Sequence, residues 1–502
     1  MSGTTASAPT PEESARDLAA QRDSGFFGQP RGLLPLFGLE LWERFSFLGM
    51  QAILALFFAS TVHGGFGMSS GSAASVAAGY STAVYLVSVG GGWIADRVLG
   101  SYRSVLWGGV CIACGHYAMA VPTHGSIWIG LALIIIGTGL LKPNVSTMVG
   151  KLYTTDDERR DAGFALYYMG INIGAFAGPL IAGWLGQGYG WHWGFSAAAV
   201  GMTFGIVQYV AGRRHLAGRR EGPESPLPPE VMRRNLRLIA VCAVAVVGLG
   251  VGLALAGVLT LSVGVDVLTA VSVVLPVVYF VWMFRSPQVA GEERGRLRPY
   301  LVLWIASVVF NLVLFQSYTV LALLAADHAN TSVLGWSFPS TWYNSVMGAA
   351  EVLLAPVVAG VWVKLGSRQP HASNKIAMGT VIGGLGYLVM ALATQGRTGD
   401  WQMAAWWLLV SFVLLGLGDV ILETTGLATT TKLAPAAFSS QTMALWFLSL
   451  ALANGAQAQV VKLYGNISDP LYFALNGGFA VVVGLVVMAC APWLRRTMAP
   501  VR

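Results

Sequence analysis

What most constrains this chain is the recurrence of apolar stretches about twenty residues long, one after another from Pro35 almost to Trp493, separated by short polar or Gly/Pro-rich connections. A bilayer-spanning helix needs roughly 20 largely apolar residues, and about fourteen stretches of that length can be marked off along the chain. Composition agrees: 55% of the residues are hydrophobic and 11% charged, with a mean hydropathy of +0.63. A water-soluble fold of this size lacks the polar surface to cover such a balance. The expected fold class is an all-α polytopic membrane protein.

A formal charge of +7 invites a nucleic-acid reading, but the cations sit in alternate connections. Arg97 and Arg103 follow the second stretch, Lys151, Arg159 and Arg160 the fourth, and Arg213, Arg214, Arg219, Arg220, Arg233, Arg234 and Arg237 the sixth. Arg294, Arg296 and Arg298, then Lys364, Arg368 and Lys375, then Arg495 and Arg496 continue the alternation, while the opposite connections carry little beyond Arg397 and Lys462. The positive-inside rule then puts both termini in the cytoplasm and implies an even number of spans; a multi-pass protein of the bacterial inner membrane with no nucleic-acid partner is expected. The first thirty or so residues, with Glu12, Glu13, Arg16, Asp17, Arg22 and Asp23 and no apolar core, read as a cytoplasmic tail rather than a secretory leader.

Six spans fit an N-terminal bundle over 35–211: 35–60, 73–95, 104–122, 125–149, 162–187 and 193–211. A tail over 1–34 precedes them and a cytoplasmic linker, 212–234, follows. Two further spans, 235–258 and 264–284, occupy 235–285 and hold almost no polar side chain besides Asp266. A second linker, 286–299, leads to a C-terminal bundle over 300–494 with spans 300–325, 340–364, 376–394, 402–427, 440–463 and 470–494, then a tail over 495–502. Gly92-Trp-Ile-Ala-Asp96-Arg97-Val-Leu-Gly100-Ser-Tyr-Arg103 has a degenerate partner in Gly360-Val-Trp-Val-Lys364-Leu-Gly366-Ser-Arg368. The first copy resembles the signature loop of the major facilitator superfamily, in which a Gly lets helices approach while Asp and Arg pin the cytoplasmic gate; Gly92, Asp96 and Arg97 take those roles by resemblance. It implies twelve transmembrane helices in two pseudo-symmetric halves with a substrate site between them. The two central helices are then inserted between the halves, in a peripheral role.

Ionisable side chains in hydrocarbon are costly and functional by default. Glu40, Glu43 and Arg44 share one helical face of the first span, so two carboxylates and a guanidinium project together and one carboxylate is left over as a proton carrier. Lys142 in the fourth span, followed by Pro143 and a polar run, is expected at an opening in its helix, paired with an acid of the first or tenth span. Gly137-x-Gly139 lacks the preceding strand and following Lys-Ser/Thr of a phosphate loop. Cys111-x-x-Cys114 has metal or redox spacing, but with only His116 near it in an apolar helix it reads as core packing, so neither a metal nor a cofactor is expected.

Glu40-x-x-Glu43-Arg44-Phe45 with Gly49-Met50, the stretch around Lys142-Pro143-Asn144, and Asp161-Ala-Gly-Phe164 through Gly170-Ile-Asn172-Ile-Gly174-Ala175-Phe176 together resemble the proton-dependent oligopeptide transporters. Trp191-His-Trp-Gly-Phe195 and Thr431-Lys432-Leu-Ala-Pro435 also fit, so the resemblance covers essentially the whole chain. It implies a proton-coupled symporter importing di- and tripeptides by alternating access, the proton being the coupling ion, and a protein acting as a monomer. By that resemblance Glu40, Glu43 and Arg44 couple protons, Arg44, Lys142 and Asn172 hold the peptide carboxylate, Tyr85, Phe47 and Trp446 line the site, and Asp419 meets the peptide amino group. Where the family commonly has two tyrosines this chain has Phe47 and Leu48, Met347 stands where an amide is common, and Glu351 and Glu423 add acids to the cavity. A carrier of the same fold for a peptide-like natural product or a modified amino acid is the near alternative. Gly416-Leu-Gly418-Asp419 matches an intramembrane aspartyl protease motif, but the preceding span, 376–394, holds no partner acid, so an enzyme is not expected.

Overall fold

The structure is a computed structural model and describes residues 23–154, 157–216, 222–223, 227–257, 260–333, 335–397 and 401–498. Most of the expected N-terminal tail, part of the 212–234 linker and the last four residues lie outside the described residues. Fourteen helices of twenty residues or more are described: α1 Leu33–Ala59, α2 Ser70–Ile94, α3 Ser101–Ala120, α4 His124–Gly150, α5 Arg160–Tyr189, α6 Trp191–Ala211, α7 Pro229–Leu255, α8 Leu261–Arg285, α9 Gly291–Phe315, α10 Trp342–Leu365, α11 Ala372–Thr394, α12 Ala405–Leu433, α13 Ser439–Val460 and α14 Asp469–Ala489. Twelve of them are long and apolar enough to cross a membrane; α3 and α7 fall short on that measure. The first turns of α7 and α9 lie in segments expected as linkers, because Pro229 and Ala290 sit where a helix can begin.

Local sequence sets the ends. Thr123 caps α4 by accepting the Ser126 amide, and Thr260 caps α8 through Val263 in the same way. The tight reversals from α2 to α3 and from α5 to α6 pass through Gly100 at φ 78° and Gly190 at φ 126°, a region that a side chain disfavours. The ninth helix does not run straight: a 3₁₀ turn, Gln316–Tyr318, separates it from a short helix, Val320–His328. Gln316 is locked there, accepting from Tyr472 Oη at 2.5 Å and donating to Leu312 O at 3.1 Å and Asn476 Oδ1 at 3.3 Å.

The packing repeats itself. In the first six helices α1 lies on α5 and α6, α3 on α4 and α6, and α2 on α4. In the last six α9 lies on α13 and α14, α11 on α12 and α14, and α10 on α12. A shift of six, leaving out α7 and α8, maps one set onto the other. The two sets meet along two seams that the same shift exchanges, α2 with α13 and α5 with α10. Of the inserted pair, α8 packs across the first seam, onto both α13 and α2. Its Asp266 is no stray acid, since it takes Lys462 Nζ at 2.7 Å and Gln459 Nε2 at 2.9 Å.

Glycines bring the backbones together where the site lies. A side chain at Gly178 would meet Phe45 O at 2.5 Å, and one at Gly174 would meet Arg44 Cβ and Phe45 N at 2.8 Å, so α1 and α5 touch along their main chains. Between α2 and α4 the closest approach is at Gly91, against the carbonyl of Gly139, while Gly92 has only Pro143 Cβ at 3.9 Å. The helix-packing role expected of Gly92 thus falls to its neighbour.

Candidate functional site

Glu40, Glu43 and Arg44 are brought together on α1. Arg44 Nε lies 2.6 Å from Glu43 Oε2 and 3.3 Å from Glu40 Oε1, and all three residues are buried. The contacts are close but poorly aligned: both Glu43 oxygens and Arg44 Nε and Nη2 lack a hydrogen-bond partner in good geometry. A buried guanidinium with an unsatisfied N–H is costly, and a ligand carboxylate would relieve it. Tyr167 of α5 stands beside Glu40, its hydroxyl close enough to act on that carboxyl. Sequence reading passed over Tyr167, although it stands three and seven residues before Gly170 and Gly174 on the face of α5 that meets α1.

Lys142 departs from expectation. Its helix stays continuous through Pro143, so there is no opening at that point. Pro143 has no N–H for the carbonyl of Gly139, and that carbonyl lies against Gly91 instead. Asn144 Nδ2 donates to Leu140 O at 2.7 Å and Gly91 O at 3.3 Å, stitching α4 to α2. Among the described residues no carboxylate lies within salt-bridge distance of Lys142; its ammonium sits 4.5 Å from the Tyr85 ring centroid and 5.7 Å from that of Phe47. Arg44 is 5.3 Å from the same Phe47 ring, so two cations border one aromatic ring. Phe47 offers these cations a bare ring without a hydroxyl. Asn172 is half-buried on α5, two residues before Gly174.

Across the seam, a side chain at Gly416 of α12 would meet Met347 O at 3.1 Å and Ala350 Cβ at 3.2 Å, so the glycine lets α12 lie against α10. This close approach sets Glu351 near Asp419, and the charges of Glu351, Asp419 and Glu423 act on one another. Trp446 of α13 lies over Gly426 and donates its Nε1 to Glu423 Oε1 at 3.2 Å. Glu423 is also close enough to act on Lys142 across the halves, and Tyr85 meets Phe315 at 5.8 Å between ring centroids. The structure therefore brings Glu40, Glu43, Arg44, Phe47, Tyr85 and Lys142 to one side and Glu351, Asp419, Glu423 and Trp446 to the other. Asp96 and Arg97 lie apart from both, in a π-helical turn, Ala95–Leu99, at the end of α2. Cys111 is half-buried and Cys114 exposed, so the core packing expected of this pair is not met; no group of three metal-binding side chains occurs among the described residues.

Two six-helix bundles related by a repeat, meeting at two equivalent seams with cations facing acids between them, define a membrane transporter of the major facilitator type. The chain belongs to the POT family, whose family model, PTR2, matches residues 102–474. It is 41% identical over 477 residues to YclF, an uncharacterized transporter of Bacillus subtilis, covering 94% of this chain and 96% of that one. It is 37% identical over 487 residues to a di-/tripeptide transporter of Lactococcus lactis subsp. cremoris, covering 95% and 98%. A crystal structure of the peptide transporter POT in complex with sulfate superposes with a TM-score of 0.91 at 41% identity, covering 96% of this chain and 99% of that one. The protein is a multi-pass transporter and not an enzyme.

Proposed function

We propose that the protein imports di- and tripeptides across the bacterial inner membrane by proton symport and alternating access, as a monomer with both termini in the cytoplasm. The observation that carries this reading is the opposition of Arg44 and Lys142 to Asp419, Glu423 and Glu351 across the seam. A zwitterionic peptide presents a carboxylate and an ammonium a few ångströms apart, which fits cations on one wall and acids on the other. Arg44, with its unpartnered Nη2, takes the peptide carboxylate together with Lys142 and Asn172. Asp419 takes the amino group, and Phe47, Tyr85 and Trp446 line the space between.

Glu40 and Glu43 outnumber the one guanidinium they share, so proton binding there would free Arg44 for substrate. The domains are an N-terminal bundle expected over 35–211, an inserted pair expected over 235–285 and a C-terminal bundle expected over 300–494, the helices of the pair and of the second bundle starting earlier, at Pro229 and Gly291. Asp96 and Arg97 would serve the cytoplasmic gate, with Gly91 giving the close helix approach expected of Gly92. Proteoliposomes with an imposed inward proton gradient test the reading. Uphill accumulation of labelled Ala-Ala, abolished by a protonophore, is expected; no gradient-driven accumulation of any peptide in a di- and tripeptide panel would overturn it.

A further inference from the structure

A recess of about 1150 Å³ opens between the end of α10, the start of α11, the last turns of α12 and the short C-terminal helix Ala491–Met498. It lies on the face that carries the Arg-rich connections and is separate from the residues described above. Arg368, His371, Lys375, Lys432 and Arg495 all line it, and no Asp or Glu is among its lining residues. These five come from three distant parts of the chain, so no single basic run produces the cluster. Lys375 is held in place: its ammonium donates to Gln369 Oε1 at 2.8 Å and sits 4.6 Å from the Trp362 ring centroid. Lys375 also feels the like charge of Lys432. Converging cations repel one another, no Asp or Glu is among the described lining residues, and an anion between the cations lowers the cost.

We propose that this basin binds a phosphate group. Guanidinium forks and ammonium groups match the several oxygens of a tetrahedral oxyanion, which a halide lacks. Trp362 supplies an apolar wall, and the neighbouring C-terminal helix presents an exposed Trp493 beside Arg495 and Arg496, a pairing typical of a membrane interface. These features favour an anionic phospholipid headgroup as the source, with soluble phosphate as the other. Thr424 lines the basin one residue beyond Glu423, so an occupant bears on the helix that carries Asp419 and Glu423.

Thermal unfolding of the full-length protein tests this in two arms. One compares nanodiscs of phosphatidylcholine with nanodiscs containing phosphatidylglycerol. The other compares detergent-solubilised protein in inorganic phosphate and in chloride at equal ionic strength. A rise in midpoint on the order of 2–4 °C is expected with phosphatidylglycerol. The double variant Lys375→Gln/Lys432→Gln should lose the rise, Lys375→Arg/Lys432→Arg should keep it, and Arg233→Gln/Arg237→Gln, which removes equal charge elsewhere, should keep it too. A rise with inorganic phosphate that follows the same pattern supports the site and assigns it to a soluble source. No rise with either probe, an equal rise in the Lys→Gln double variant, or an equal loss in the Arg→Gln control overturns the proposal.

Discussion

Arg44 is held by two carboxylates at 2.6 and 3.3 Å yet keeps Nη2 without a partner, so its surroundings are arranged for exchange rather than for fastening. Replacing Glu40 or Glu43 with Gln keeps shape and removes the titrating group. Gradient-driven uptake should fall at least tenfold while exchange without a gradient persists, a split read by running both assays on the same vesicles; full accumulation in both variants would dismiss the coupling role. Lys142→Ala should cost about tenfold or more in uptake, the usual scale for removing one charge of a buried recognition pair. On the opposite wall Glu351, Asp419 and Glu423 make an acidic surface, and Phe47 and Leu48 offer no hydroxyls to compete for polar side chains. Ala-Lys should therefore inhibit labelled Ala-Ala uptake better than Ala-Glu does, and Glu423→Gln should narrow the gap; equal inhibition by both, unchanged in the variant, counts against the preference. The charges were legible in the sequence because an ionisable group in an apolar run is conspicuous. The partner of Lys142 was not, since nothing in its own helix tells that the Tyr85 and Phe47 rings, rather than a carboxylate, stand in reach.

At the scale of elements, spans were readable from apolar length alone, whereas what sets two helices against each other was not. Gly174 and Gly178 let α1 and α5 touch, and Gly91 with Gly139 does the same for α2 and α4; a single-helix pattern cannot say which glycine faces which neighbour. Gly92 looked the better candidate from its motif, and Gly91 is the one in contact. Pro143 was equally ambiguous: it reads as a break, yet the helix continues because the carbonyl it leaves without a donor faces Gly91. Gly178→Val would push a branched side chain into Phe45 O and Gly49 N, 2.5 and 2.9 Å from a Cβ, and should destabilise by about 1–3 kcal/mol, seen as a lower unfolding midpoint and less folded protein. Outside the membrane, the turn before α5 shows a second kind of fastening. Arg159 holds the Asp157 carboxyl below its ordinary range through two side-chain bonds, at 3.1 and 2.9 Å, and reaches Asp23 O at 2.8 Å, tying down the segment before α1. A depressed carboxylate pKa contributes stability that is fully present above the ordinary aspartate range and is lost as pH falls from that range through the lowered folded-state pKa. Asp157→Asn at neutral pH should thus mimic acidification and speed tryptic cleavage after Arg31 on the order of threefold to tenfold. An unchanged cleavage rate would show the tie is idle.

For the whole molecule, the described hydrogen bonds between the two bundles gather on the side away from the Arg-rich connections. Gln187 of α5 donates to Ser340 Oγ at 2.9 Å and accepts from the Thr341 amide at 3.4 Å, and Trp342 Nε1 donates to Leu180 O at 3.0 Å. On the other seam Ser75 Oγ donates to Ala458 O at 2.7 Å, where α8 lies across both helices. At the opposite end, α10 and the turn after it are exposed from Ala359 through Gln369, apart from the half-buried Trp362, with no such bonds described. On the alternating-access reading proposed above, with both termini cytoplasmic, this asymmetry corresponds to an inward-facing state: one end latched and the other parted, around a site between the halves. The latch must break for the outer end to open, and the bonds are weak enough to allow it, since each is worth only about 0.5–1.5 kcal/mol net. Fixing it covalently should therefore stop the cycle without harming the fold. In a Gln187→Cys/Ser340→Cys variant, oxidation should abolish proton-driven peptide uptake and reduction should restore it, while each single variant transports under both conditions. Uptake that persists after complete cross-linking, verified by loss of free thiols at both positions, would mean that the α5–α10 seam does not open during transport.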